Sequence, residues 1–373
     1  MLGRFLLAHA VLVGSWPVEQ QTLQPELYDP TGCHADEAVT LLLRDSACPD
    51  VEAMYSEMAK VDMLRKGPHQ FMSVGCNRGE DLVRFSQLFD GTRHTFDHSS
   101  WVSALRKAGG IHLHDICNAE NVSARTAQVA EASQPPQAYC IEGMRSNVRL
   151  LNQTLRLLPA LNPALTVVGS AFGGPEEVGT KVHFPECAAG REQGGIGIHL
   201  GWSDCSNVEV PVDSVDNFMS VRGMKRLDAL FVDTEGHDPA VLDGARRLLD
   251  NGLVRYVEFE VHQDLKSLIW SRRSLRSVTS PLEAAGYQCY WMGRGKLTSL
   301  SGYYHPMYDQ KTLGWSNIAC VQRTDPWHSI VNSWSRGGLC ESYGKEADKE
   351  ARRRYKSWQR YRSRRAAAVA SQE

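Results

Sequence analysis

The chain has 373 residues, 42% hydrophobic and 23% charged, with a formal net charge of −2. That length fits one large α/β domain with additions, and the composition supports a sizeable core. The small charge gives no global pull toward nucleic acid or anionic membranes, so no nucleic-acid partner is expected. The apolar run at residues 5–14 follows one positive charge at Arg4 and precedes Ser15, Trp16 and Pro17. This fits a short secretory signal over residues 1–16 and is far below the ~20 residues that span a bilayer, so no transmembrane segment is expected. The expected location is the secretory pathway or outside the cell; a chance apolar N-terminus would leave the protein cytoplasmic.

The 10 cysteines are even in number, which suits an oxidising compartment. They show no Cys-x-x-Cys spacing and no Cys/His cluster, so no structural zinc site is expected. Cys76 and Cys140 read as small core residues rather than disulfide partners. The sequons at Asn121 and Asn152 are about as many as chance supplies and discriminate little.

Residues 17–35 read as an irregular leader and 36–66 as helical, with Leu42, Met54, Met58, Val61 and Leu64 as apolar groups. Strands are predicted at 70–74, 138–141, 165–168, 208–212, 227–232, 254–261, 287–291 and 316–321. Helices are predicted at 81–89, 146–158, 239–249 and 281–285. Asp238 stands in capping position for the third helix and Pro239 in its first turn. Residues 91–136 lack a pattern and read as an insertion, a candidate cap over an acceptor site. Strands alternating with helices predict an α/β, Rossmann-like fold with a mostly parallel, doubly wound sheet and helices on both faces. The predicted division is a signal at 1–16, a helical and irregular extension at 17–66, the main domain at 67–325 and a basic tail at 326–373.

Four motifs carry chemistry. Ser73-Val74-Gly75-Cys76-Asn77-Arg78-Gly79 follows a strand and opens a helix, so its glycines let a ligand approach the backbone near a helix N-terminus. Glu142 ends the second strand, where a carboxylate can accept hydrogen bonds from both hydroxyls of a ribose. Asp233, Glu235 and His237 gather at the carboxyl end of a buried strand, where open α/β sheets bind ligands. Glu258, Glu260 and His262 alternate onto one side of the next strand.

Together these runs resemble FkbM-family methyltransferases. Val232-Asp233-Thr234-Glu235-Gly236-His237-Asp238, then Val241-Leu242-x-Gly244-Ala245 and Val257-Glu258-Phe259-Glu260, is similar to the family hallmark. Ile141-Glu142-Gly143 with Asn147, Leu150 and Asn152 resembles its acidic motif and the helix after it. Residues 167–174 resemble the segment near the adenine, and 210–216 the strand before the hallmark. The resemblance covers roughly residues 70–322 and implies a methyltransferase-type sheet, S-adenosylmethionine as donor, and O-methylation of sugars or natural products. By that resemblance Gly75, Asn77 and Gly79 approach the methionine part of the cofactor, and Glu142 holds the ribose. Ser170 and Ala171 flank the base, and Asp233, Glu235 and His237 face the methyl-transfer centre. Phe231 stands where the family often has lysine, and Gly143 replaces a usual proline. Glu142 lies 63 positions after Gly79 (142 − 79), so Asp115 remains a rival ribose ligand.

Transfer to oxygen needs a base. His237 or Glu235 is expected to take the proton, with Asp233 orienting the site. A divalent cation on Asp233, Glu235 and Glu260 is compatible with the set, but the spacing does not demand a metal. The partner is a small-molecule or glycan acceptor, with Trp270, Trp291 and Tyr303 as candidate stacking walls or core groups. Two other readings stay open: a non-catalytic lumenal or secreted scaffold with a degenerate methyltransferase fold, and a nucleotide-sugar transferase, which lacks the expected Asp-x-Asp pair here.

Overall fold

A computed structural model describes residues 35–46, 50–62, 67–92, 95–109, 134–190, 205–262, 269–309, 315–347, 349 and 353. The signal at 1–16, Asp115, most of the insertion and the end of the tail lie outside the described residues. In chain order the elements are α1 (Ala35–Ser46), α2 (Glu52–Val61), β1 (Gln70–Val74), α3 (Glu80–Phe89), α4 (His98–Lys107), β2 (Gln137–Glu142), α5 (Arg145–Leu157) and β3 (Leu165–Gly169). Then come β4 (Ala171–Phe172), β5 (Lys181–Glu186), β6 (Ser206–Asp213), α6 (Val215–Val221), β7 (Leu227–Val232), α7 (Asp238–Gly244), α8 (Arg246–Asp250) and β8 (Val254–His262). The described chain ends with α9 (Leu275–Ala284), β9 (Tyr287–Gly293), β10 (Lys296–Ser299), β11 (Trp315–Gln322) and α10 (Pro326–Ser333).

Eight strands form one sheet in the order β10-β9-β11-β8-β7-β1-β2-β3. The five strands β3, β2, β1, β7 and β8 are parallel; β11 runs antiparallel between β8 and β9, and β10 antiparallel to β9. The expected mostly parallel α/β sheet, with helices on both faces, is present. Each face is apolar because the strands carry large residues on alternate positions. Phe71, Ala229 and Tyr256 meet α2, α3, α4, α5 and α10 on one face; Met72, Leu230 and Val257 meet α1, α6, α7, α8 and α9 on the other. The chain leaves β1 toward β2 and β3, then returns to place β7 on β1's other side. That reversal opens a crevice at the carboxyl ends of β1 and β7.

Several elements differ from the sequence reading. The segment at 36–66 is two helices, with α2 starting after Val51. Helix α4 lies inside the unpatterned insertion; only Trp101, Ala104 and Leu105 are buried on it, too few for a visible period, although Asp97 caps it through Ser100 N. It packs against α3 and α5 in the helical layer. Strand β5 pairs with β6, and β6 with β4, in a small separate sheet. The helix expected at 239–249 breaks at Ala245 into α7 and α8. Asp238 does not cap it but is fully buried, accepting from Thr234 N, Gly236 N and Glu260 N. Helix α9 starts at Leu275, capped by Ser274, and carries Pro281 inside. The basic composition of 326–373 misplaces the tail boundary: Trp327, Val331, Leu339, Tyr343 and Ala347 are all fully or almost fully buried, so residues 326–347 belong to the packed domain.

Cys76 and Cys140 form a disulfide, against the sequence reading, with Cα atoms 5.4 Å apart. The turn after β1 causes this by folding back on β2, with Gly75 N and Cys76 N both donating to Ile141 O. Cys187–Cys205 and Cys289–Cys320 are also paired, and Cys340 is disulfide-bonded. Among the described residues no helix is long and apolar enough to cross a membrane.

Two buried polar knots lock the additions to the sheet. Arg255 on β8 grips Asp325 with two bonds of 2.6 and 3.0 Å, holds Asp62 after α2, and reaches Asp228 of β7 at 3.4 Å. Its guanidinium lies 3.8 Å over the Trp327 ring. Replacing Arg255 by Met strands three carboxylates and should cost about 3–5 kcal/mol in urea unfolding. A loss below about 1 kcal/mol would show that the clamp adds no more than a surface ion pair.

In the second knot Glu258 accepts from Tyr55 of α2 and Tyr256, with Asn317 at 3.3 Å. Burial pushes Glu258 up to about 7. A carboxyl raised in the folded state stabilises fully below its unfolded value, and that stability is lost as pH rises through the folded value. The window is therefore about pH 4.5 to 7, and the loss about 3 kcal/mol. Unfolding measured at pH 5 and pH 8 should show a smaller loss in Glu258→Gln than in the natural chain; equal losses would contradict the assignment.

Candidate functional site

The turn after β1 and the end of β7 approach so closely that only glycine fits at position 75. A Cβ there would stand 1.7 Å from Asp233 O, and its φ is +79°. Asp233 N in turn donates to Val74 O at 2.9 Å. The turn then presents Asn77, a non-glycine residue at φ 49°, and Gly79, which caps α3 at φ 70°. Trp101 and Leu151 lie 3.2–3.3 Å from where a Gly79 Cβ would be, so that glycine lets α4 and α5 close on the turn.

Glu142 ties the turn to β2. One carboxylate oxygen accepts from Asn77 N at 2.8 Å, the other from Met144 N at 2.7 Å. Burial pushes this carboxyl up to about 7, against the two N–H donors, which favour its charged form. Asn147 extends the tie, donating to Asn77 Oδ1 at 3.1 Å and accepting from Gly190 N at 2.7 Å. The Phe184 ring lies where a Gly143 Cβ would stand, 2.6 Å away, which accounts for glycine at this position. Phe231 packs edge-on against Phe85 at 4.9 Å and serves as core.

Ser170 and Ala171 enter β4 at the border of the small sheet. Both are buried, and Ser170 Oγ donates to Pro211 O at 2.8 Å. What they present to a ligand is backbone and methyl surface rather than a free hydroxyl.

The three hallmark side chains separate into two groups. His237 is buried and its Nε2 stands 3.1 Å from Glu177 Oε2. Glu177 also accepts from Gly174 N at 2.7 Å, and the His237 bond holds its carboxyl below the usual range. Glu235, at φ 52°, turns the other way: its Oε2 lies 3.4 Å from His262 Nε2. His262 Nε2 also meets Glu260 Oε2 at 2.6 Å. Asp233, just after β7, is exposed to solvent and lies with the second of these groups. It shares a hydrogen bond with Glu260, and enclosure by protein raises its carboxyl. Burial, then the charges of Asp233, Glu235 and Asp238, push Glu260 well above the carboxylate range. Asp238 is raised to about 8 by burial and by Asp233.

Gly75, Asn77, Gly79 and Glu142 thus form one half of the crevice, with Asp233 at its centre. Glu235, Glu260 and His262 form the other half. Trp270 and Trp291 are buried at 3% and 1% exposure and stack on Phe259 and Tyr308, so they are core. Tyr303 alone of the three is exposed. Sequence reasoning gave no role to Glu177, which is remote in the chain and carries no motif. It placed His262 on the right face by strand alternation without joining it to Glu235.

No curated protein matches the chain. Among solved structures it is similar to a precorrin-6y C5,15-methyltransferase from Geobacter metallireducens GS-15, at 8% identity over 72% of this chain and 87% of that one, with a TM-score of 0.30. It is also similar to an O-methyltransferase from Bacillus cereus in complex with SAH, at 9% identity over 77% and 90% of the two chains, with a TM-score of 0.29. Residues 177–289 match the methyltransferase FkbM domain, a span that holds Glu177 and the whole run from Val232 to His262. That matched span is similar to the family that the motifs of the sequence resemble.

Proposed function

We propose that this protein is an S-adenosylmethionine-dependent O-methyltransferase acting on a hydroxyl of a small molecule or glycan. The observation that carries the reading is the convergence of Gly75, Asn77, Glu142 and Asp233 at the reversal point of the sheet, in a chain whose residues 177–289 match the FkbM methyltransferase domain. The residues present fit the cofactor. Gly75 removes the Cβ that would fill the turn, and Glu142 is fixed by two backbone donors and by Asn147, which leaves one carboxylate lone pair for a ribose hydroxyl.

When bound, the cofactor supplies an electrophilic methyl group whose C–S bond breaks, its electron pair passing to sulfur, as the new C–O bond forms. The chain's own work is to hold the acceptor oxygen in line and to take its proton. Asp233 suits proton removal, because it is open to the crevice and its raised carboxyl is a better base than an ordinary aspartate. Glu235, with Glu260 and His262, orients the hydroxyl. His237, held by Glu177, fixes the loop between β4 and β5 against the start of α7. The disulfides and the apolar start of the sequence support a place in the secretory pathway.

Calorimetric titration of the protein with S-adenosylmethionine and its demethylated product should give saturable binding, weakened at least about tenfold in Glu142→Ala, a loss of ~1.4 kcal/mol. A folded natural chain that binds neither would turn the choice to the scaffold reading. Radiolabelled methyl transfer onto a panel of sugars and glycans should fall by about 10²–10⁴ in Asp233→Asn while product binding stays intact. Unchanged transfer in that variant would move the base elsewhere.

A further inference from the structure

We propose that Glu235, Glu260 and His262 form a binding site for a divalent transition-metal cation, of the Zn²⁺ or Mn²⁺ class. One oxygen of each carboxylate and one imidazole nitrogen lie within 4.8 Å of one another. The separation of His262 from Glu235 matches a coordination shell. Metal–ligand bonds of about 2.1 Å put tetrahedral neighbours about 3.4 Å apart and octahedral ones about 3.0 Å apart. His262 Nε2 stands 3.4 Å from Glu235 Oε2, at the tetrahedral spacing, and 2.6 Å from Glu260 Oε2, shorter than either spacing.

The donors come from two elements held rigidly together. Glu260 and His262 are alternate residues of β8, so both point to one side of the sheet. Glu235 is in the turn after β7, the strand paired with β8 in parallel. That turn is fixed by Asp238, which accepts from Gly236 N and from Glu260 N and so sets Glu235 and Glu260 relative to each other. The side chains of His262 and Glu260 are 9% and 11% exposed, and Glu235 is 20% exposed on the crevice side. A cation would thus be enclosed by protein on one side and reachable from the other.

Mixed imidazole and carboxylate donors suit zinc or manganese better than magnesium or calcium, which take oxygen ligands. Three protein ligands leave coordination positions open, and Asp233 lies beside the set, hydrogen-bonded to Glu260. An acceptor hydroxyl bound there would be acidified by the cation and lose its proton to Asp233. That use of the cation rests on the methyltransferase reading; the binding itself does not.

The test uses the full chain, stripped with a chelator and titrated with ZnCl₂ by calorimetry and with MnCl₂ by electron paramagnetic resonance. One saturable site is expected. Glu235→Gln and His262→Gln should each weaken it at least about tenfold, while binding of the demethylated cofactor product stays unchanged. Affinity should also fall in the natural chain as acid protonates the ligands. No saturable site in a folded natural chain, or equal affinity in both variants, overturns the proposal. If His262→Gln fails to fold by circular dichroism, Glu235→Gln on the crevice wall decides alone. Metal binding retained by a chain that does not bind the cofactor product would keep this site and sink the methyltransferase reading.

Discussion

The approach of Gly75 to the backbone of Asp233 is the constraint on which the rest of the site depends. Parallel strands β1 and β7 pair up to Val74 and Val232, and beyond them both chains must leave the sheet in the same small space. Any side chain at position 75 would collide with a carbonyl that cannot move without breaking the Asp233 N to Val74 O bond. With glycine there, the first turn can fold toward β2, where Ile141 O receives two of its N–H groups and Glu142 receives a third. The glycine turn after β1 and the backbone of Asp233 beside it are therefore set by one contact.

Around that contact the protein uses carboxylates in two distinct ways. Glu142, Asp238 and Glu177 spend oxygens on backbone N–H groups, fixing loops that would otherwise leave buried donors unpaired. Asp233, Glu235 and Glu260 instead face one another and an imidazole. Such crowding disfavours full ionisation and so works against stability. It is the pattern expected where a site is kept for proton transfer or for holding a positive group.

The additions outside the sheet are not passive. Helix α2 delivers Tyr55 to Glu258 and Asp62 to Arg255, and Asp325 at the start of α10 meets the same arginine. Helices α2 and α10 are thereby both anchored on β8, the strand that carries Glu260 and His262. The small sheet does a similar service from the other side: it brings Glu177 to His237 and Phe184 to Gly143.

The sequence by itself determined the alternation of strands and helices, the glycine turn, and the acidic residues at strand ends. These are local: a buried strand such as 227–232 declares itself by an apolar run, and a turn that needs left-handed backbone declares itself by Gly75 and Gly79. The fold class and the position of Glu142 beside the turn were legible for that reason. Only the tertiary structure decided which hallmark groups face one another. Glu235 and His237 are two residues apart, yet the left-handed turn at Glu235 sends one to His262 and the other to Glu177, 60 positions away. The pairing of Cys76 with Cys140, the helix hidden at 98–107 and the burial of 326–347 depended likewise on contacts between distant segments. Such contacts leave no period in the sequence, because each partner is a single residue whose neighbours do other work.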